Sequence, residues 1–186
     1  MSKIETSQAA WDEFERLVAE TLEKGQTSDW FARQLRQFVE KHGWAGWWPA
    51  SDKNEFNRTS SAVFHAVLAV DYMQRRHDQL CAGGFTLWVY RSDGAPTACP
   101  REHHLLDGIA VAPDHPFWDI WFPPNTAGCR CRVFGANSEA GIRRVGGDAG
   151  KTLPIWWDIA GIAVDTQYVG LARPSLVQIV EDALET

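Results

Sequence analysis

YRSDGAPTACPREHHLLDGIAVAPDHPFWDIWFPPNTAGCRCRV, residues 90–133, holds three of the four cysteines and three of the six histidines of the chain. Cys99, His103, Cys129 and Cys131 make the pattern C-x3-H followed much later by C-x-C. Thiolate and imidazole ligands are thereby present in the number that a closed tetrahedral zinc site requires. The run CRCRVF at 129–134 reads as a strand, with Cys129, Cys131 and Val133 on one face and Arg130 and Arg132 on the other. Such alternation aims both thiols at one point. Between the two halves of the pattern, Asp93-Gly94 signals a turn, and Pro113, Pro116, Pro123 and Pro124 interrupt short apolar pieces. Short elements and turns, pinned by their own side chains, are therefore expected here.

Working upstream, FTLWVY at 85–90 is aromatic and β-branched with weak alternation, which predicts a strand buried on both faces. Gly83-Gly84 separate it from RTSSAVFHAVLAVDYMQRRHDQL, read as a long helix from Asn57 or Thr59 to about Leu80. Val63, Val67, Val70 and Met73 mark its core face. His65 and His77 lack a paired ligand at helical spacing and are read as structural, and Cys81 as a small residue at the helix end. Before it, WAGWWPASDKN at 44–54 reads as a loop, because Pro49 disfavours helical geometry at Trp48. Two amphipathic helices come first. Ser7 to Lys24 carries Trp11, Phe14, Leu17, Val18 and Leu22 and is stopped by Gly25. Thr27, Ser28 and Asp29 offer caps for a second helix with Phe31, Leu35, Phe38 and Val39 on one face, ending at His42-Gly43.

Downstream, 141–172 is Gly-rich and contains Trp156-Trp157, read as loops with short strands such as IAVDTQYV. Pro174 then opens a last helix through Leu184, with Leu176, Ile179, Val180 and Ala183 as its apolar positions. The fold class expected is α+β: an N-terminal helical hairpin and a long helix packed on a small irregular β-sheet module with Cys/His-rich loops, then a C-terminal helix. Residues 1–50 form the hairpin, 51–145 the module, and 146–186 an extension.

At 186 residues the chain is long enough for a real core. Its 10 tryptophans and 9 phenylalanines are clustered, and Trp44, Trp47, Trp48 and Trp121 are candidates for a contact surface. The net charge of −6 divides as −3 over 1–57, +1 over 58–145 and −4 over 146–186, which does not support generic nucleic-acid binding by a basic face. Arg130, Arg132, Arg143 and Arg144 could form a small positive patch near the C-x-C. No signal-peptide pattern opens the chain and no apolar run is long enough to span a bilayer, so synthesis in a reducing cytoplasm is expected. There the cysteines are read as thiols or metal ligands, not disulfides.

The runs EHHLLDG (102–108), DHPFWDIWFPPN (114–125) and GCRCRV (128–133), in this order, resemble the signature of the phage Mu protein F-like minor head proteins, also called phage head morphogenesis proteins. The segment ending in GWAGWW and the helix RTSSAVFHAVLAVDYMQ are similar to the parts preceding that signature, and the resemblance covers roughly residues 20 to 145. His103 matches the histidine before LDG, Asp107 and Gly108 the DG, Phe117 and Trp118 the FW of PFW, Pro123, Pro124 and Asn125 the PPN loop, and Cys129, Arg130 and Cys131 the CRC. The resemblance implies a virion component made in the host bacterial cytoplasm, placed in the head interior or at the portal vertex. Its partners would be the portal or major capsid protein, with contact to packaged DNA, and its work head assembly, packaging or DNA delivery. No catalytic activity, membrane or small-molecule substrate is implied. Cys99 stands one residue further from His103 than the family pattern would place its arginine or cysteine. That leaves His104, His115 and Asp107 as alternative fourth ligands beside His103, Cys129 and Cys131, or a site without metal, with Glu102 or Asp107 orienting the imidazole.

A rival class is enzymatic, a metal-dependent nuclease or Cys-His hydrolase built on His103, Cys129 and Cys131, or on Cys99 with His103. It lacks an identifiable orienting group, oxyanion site and basic surface. A third reading keeps the module as a domesticated prophage product outside virions.

Overall fold

A computed structural model of the chain describes residues 8–42, 53–92, 101–125 and 129–158. Within these, six helices and a three-stranded antiparallel sheet make an α+β fold. Ser7, the tryptophans Trp44, Trp47 and Trp48, Cys99, the IAVDTQYV run and the helix expected from Pro174 to Leu184 lie outside the described residues.

Helices α1 (Gln8–Glu23) and α2 (Ser28–His42) form the expected hairpin. Gly25 takes φ 58°, and the Gln26 amide reaches back to the Thr21 carbonyl at 3.0 Å. That bond closes α1 in a left-handed turn that a Cβ would disfavour. Of the three cap candidates Thr27 is the one used, its hydroxyl accepting from the Trp30 amide at 3.2 Å. Phe14 and Val18 of α1 meet Phe31, Leu35, Phe38 and Val39 of α2 in one buried cluster.

Helix α3 (Lys53–Ala82) is 30 residues long, about 45 Å. It begins before the Asn57 or Thr59 read from sequence, taking in the end of the segment expected to be a loop. The reason is tertiary: Phe56 is 1% exposed in the hairpin core, with the Arg36 guanidinium 4.1 Å over its ring. Thr59 and Ser60 return their hydroxyls to the carbonyls of Glu55 and Phe56 at 3.0 and 2.6 Å. Val63, Phe64 and Val67 complete the hairpin core, while Met73 and Leu80 belong to a second cluster. One continuous helix thus serves both cores.

Strands β1 (Leu87–Arg91), β2 (Ala110–Val111) and β3 (Arg132–Ala136) run in the order β2-β1-β3. Trp88 pairs with Val111 and Gly135, and Tyr90 with Val133. Trp88, Val89 and Tyr90 are all buried because both sheet faces are covered. Trp88 and Tyr90 enter the second cluster with the residues of the 103–133 region, while Val89 meets Ala136 and Ile142 in a third. Ile142 lies on α6 (Glu139–Arg144), a helix that replaces the loop expected from Gly141. Ser138 caps it by accepting from the Gly141 amide at 3.1 Å. Strand β3 starts later than the 129–134 read from sequence, since its register is set by pairing with β1. Arg76 fastens α3 to the sheet through a 3.0 Å bond from Nε to the Val133 carbonyl.

Candidate metal centre

Helix α4 (Arg101–Leu105) is one and a half turns long, and its middle residue His103 is 1% exposed. Opposite stand Cys129 and Cys131, in the irregular segment that leads into β3. Although this segment is not strand, its burial alternates as the sequence pattern requires: Cys129 and Cys131 are 3% and 2% exposed, while Arg130 and Arg132 are exposed. His103 Nδ1 is 3.7 Å from each sulfur, and the three atoms lie within 4.8 Å of one another. Both cysteines are thiols rather than a disulfide. The surroundings are apolar and aromatic, with the Trp121 ring edge-on to the imidazole at 6.1 Å. His103 Nε2 is buried and has no hydrogen-bond partner among the described residues. Such a cluster can do one of two things chemically: share protons weakly between sulfur and nitrogen, or chelate a soft cation.

The turn after α4 is a frame for this centre. Asp107 Oδ1 accepts from Arg91 Nε at 2.8 Å and from the Ser92 amide at 2.7 Å, so it ties the end of β1 to the turn and is not turned towards His103. This corrects its candidacy as ligand or as imidazole-orienting carboxylate. Gly108 has φ +84°, and a Cβ there would come 3.3 Å from the Asp148 amide, whose N–H bonds the Gly108 carbonyl at 2.9 Å. Only glycine meets both demands without strain. The Gly108 amide in turn donates to the Tyr90 carbonyl at 2.8 Å, and Lys151 Nζ donates to the Asp107 carbonyl at 2.6 Å. Arg91 also donates through Nη1 to the Val145 carbonyl at the end of α6.

Helix α5 (Phe117–Trp121) carries the aromatic half of the pattern inward. Phe117, Trp118 and Trp121 are each at most 1% exposed. Trp118 donates to the Ala112 carbonyl at 2.9 Å and Trp121 to the Trp157 carbonyl at 2.8 Å. Trp121 is thus a core residue, not the surface anchor expected, because its ring completes the wall beside His103. The Pro123–Pro124 peptide is cis, and Asn125, 0% exposed, donates through Nδ2 to the Ile120 and Phe122 carbonyls at 3.0 and 3.4 Å. It satisfies carbonyls that the end of a helix leaves without intrahelical partners.

The alternative fourth ligands are engaged elsewhere. His104 Nδ1 is 2.8 Å from Ser92 Oγ, and His115 Nδ1 accepts from the Phe117 amide at 3.0 Å while its ring packs on Trp157 at 5.2 Å. His77 sits between Trp88 and Phe122, at 5.6 and 5.3 Å, as a packing residue. Sequence reasoning missed Arg91, Ser92 and Lys151, which hold the frame. Their partners are backbone carbonyls, the Asp107 carboxylate and the His104 imidazole, all distant along the chain, and no local pattern announces such bonds.

Among the described residues no helix is long and apolar enough to cross a membrane. No curated protein and no solved structure matches the chain. The family model described as Phage Mu protein F like protein matches residues 12–134, from the helical hairpin through the C-x-C to the middle of β3. That span contains every part of the frame just described except α6 and the 145–157 segment. The chain therefore belongs to the phage Mu protein F-like family of phage head morphogenesis proteins.

Proposed function

We propose that the chain is a minor head protein that works by docking, not catalysis, at the portal or inner face of the head, in head assembly and in packaging or delivery of DNA. The observation that carries this reading is how the signature residues are used. Phe117, Trp118 and Asn125 are buried, Gly108 is held in a tight turn, and the partly exposed Asp107 spends its Oδ1 on Arg91 and the Ser92 amide of the same fold. A signature of this kind preserves a shape, and a preserved shape suits a fixed place in an assembly. The enzymatic alternative is disfavoured by burial, since His103, Cys129 and Cys131 are between 1% and 3% exposed and a substrate could not reach them without unfolding the centre. Portal and major capsid proteins are the expected partners, and DNA contact would be limited to local arginines such as Arg130 and Arg132, both exposed.

Co-sedimentation of the purified chain with portal oligomers and with capsid assemblies tests the reading. Specific, saturable binding to either supports it, as does recovery of the chain from virions. Failure to bind both, together with cleavage of DNA or an ester by the wild-type chain that His103→Ala abolishes, would overturn it.

A further inference from the structure

We infer that His103 Nδ1, Cys129 Sγ and Cys131 Sγ bind a zinc ion as a structural staple, a site that would stand even if the docking role were wrong. Zinc–sulfur and zinc–nitrogen bonds of about 2.3 and 2.0 Å at a tetrahedral angle put nitrogen and sulfur about 3.5 Å apart. The observed separations are 3.7 Å to both sulfurs. An imidazole nitrogen has a single lone pair and accepts well from one thiol, so two equidistant sulfurs fit a shared cation better than a hydrogen bond. A donor set of two thiols and an imidazole favours zinc over magnesium, calcium or manganese. Three of zinc's four tetrahedral positions are thereby assigned.

Ligation through Nδ1 leaves the imidazole proton on Nε2, so the histidine binds as a neutral ring. Each thiol gives up its proton to solvent on binding, and affinity therefore falls as pH falls. Burial makes the centre a staple: it joins α4 to the segment leading into β3 across 26 and 28 residues of chain. Cys129 and Cys131 lie in the second core with Trp118, Trp121 and Phe122, His103 packs against Trp121, and none of the three lies in the hairpin core of α1, α2 and the first half of α3. Metal removal should loosen the former and spare the latter.

The test uses the full-length chain purified in reductant. Elemental mass spectrometry is expected to find about one zinc per chain. Replacement by cobalt(II) is expected to show thiolate-to-metal charge transfer and the intense visible bands of a tetrahedral ion. A strong chelator should change tryptophan fluorescence while far-UV circular dichroism keeps most of its helical signal. Cys129→Ser, Cys131→Ser and His103→Gln should each lose zinc; because these variants could fail to fold, the cobalt spectrum of the wild-type chain stands independently of them. Reduced wild-type chain that takes up no zinc overturns the assignment. So does a cobalt spectrum without thiolate bands, or a folded Cys131→Ser chain with wild-type zinc. Fluorescence indifferent to zinc removal overturns the staple role.

Discussion

Arg91 donates through Nε to Asp107 Oδ1 at 2.8 Å, joining the last residue of β1 to the turn that follows α4. The same carboxylate oxygen accepts from the Ser92 amide at 2.7 Å, so one side chain positions both ends of the connection around the candidate metal centre.

Asp107→Ala strips both donors of their acceptor while the Arg91 side chain stays 28% exposed, and should cost about 2 kcal/mol. Asp107→Asn keeps a carbonyl oxygen for the Ser92 amide and should cost about half as much. The midpoint of urea unfolding, at unchanged m, measures both. An Asp107→Ala midpoint equal to wild type would show that the bridge contributes nothing to stability.

Asn125 closes α5 from a fully buried position, with Nδ2 on the Ile120 and Phe122 carbonyls. Alanine there leaves buried carbonyls unpaired and should cost about 2 to 3 kcal/mol. Asn125→Asp should be worse at neutral pH, since it sets a carboxylate against two carbonyl oxygens in an apolar site. Thermal unfolding of the three proteins should order them Asn, Ala, Asp from most to least stable. A different order would mean that the amide faces other partners.

Glu13 of α1 receives Lys41 Nζ at 2.7 Å and His42 Nε2 at 3.0 Å from the end of α2. The hydrogen bond from Lys41, then that from His42, holds its carboxyl below the ordinary value of 4.5. A depressed carboxylate contributes stability that is present above its unfolded value and is lost as pH falls through its lower folded value. Glu13→Gln should therefore melt slightly below wild type at neutral pH, and the gap should close as pH falls below 4.5. Salt should narrow the gap at neutral pH, because the pair is exposed. A gap that persists in acid would trace the effect to packing instead of charge.

Much of the helical half was legible because its information is local. Phe14 and Val18, and Phe31, Leu35, Phe38 and Val39, recur at helical spacing and all are buried, and Gly25 ends α1 where a left-handed residue was needed. The start of α3 was not legible. The start read at Asn57 or Thr59 is moved upstream by the burial of Phe56 against the hairpin, and the Thr59 and Ser60 hydroxyls turn back along a helix already under way. Helix α6 escaped notice because Gly141 lowers local helix propensity, while burial of Ile142 beside Val89 restores the balance from outside the segment. Trp121 was misplaced for a related reason: an aromatic cluster has the same composition whether it lines a surface or a core.

By itself the sequence determined the chemistry available: an imidazole, a pair of thiols with one residue between them, a glycine after Asp107, and a Pro-Pro-Asn loop, all in the order that marks the family. It also determined which side of the C-x-C run each residue takes, since burial alternates whether or not the run is paired. Tertiary structure alone decided that His103 Nδ1 lies equally far from two sulfurs, that Asp107 turns to Arg91 and away from the histidine, and that strand pairing begins at Arg132. Periodicity constrains residues a few positions apart. Atoms separated by 26 or 28 residues meet only where the intervening turns bring them, and those turns are set by the packing of the whole core.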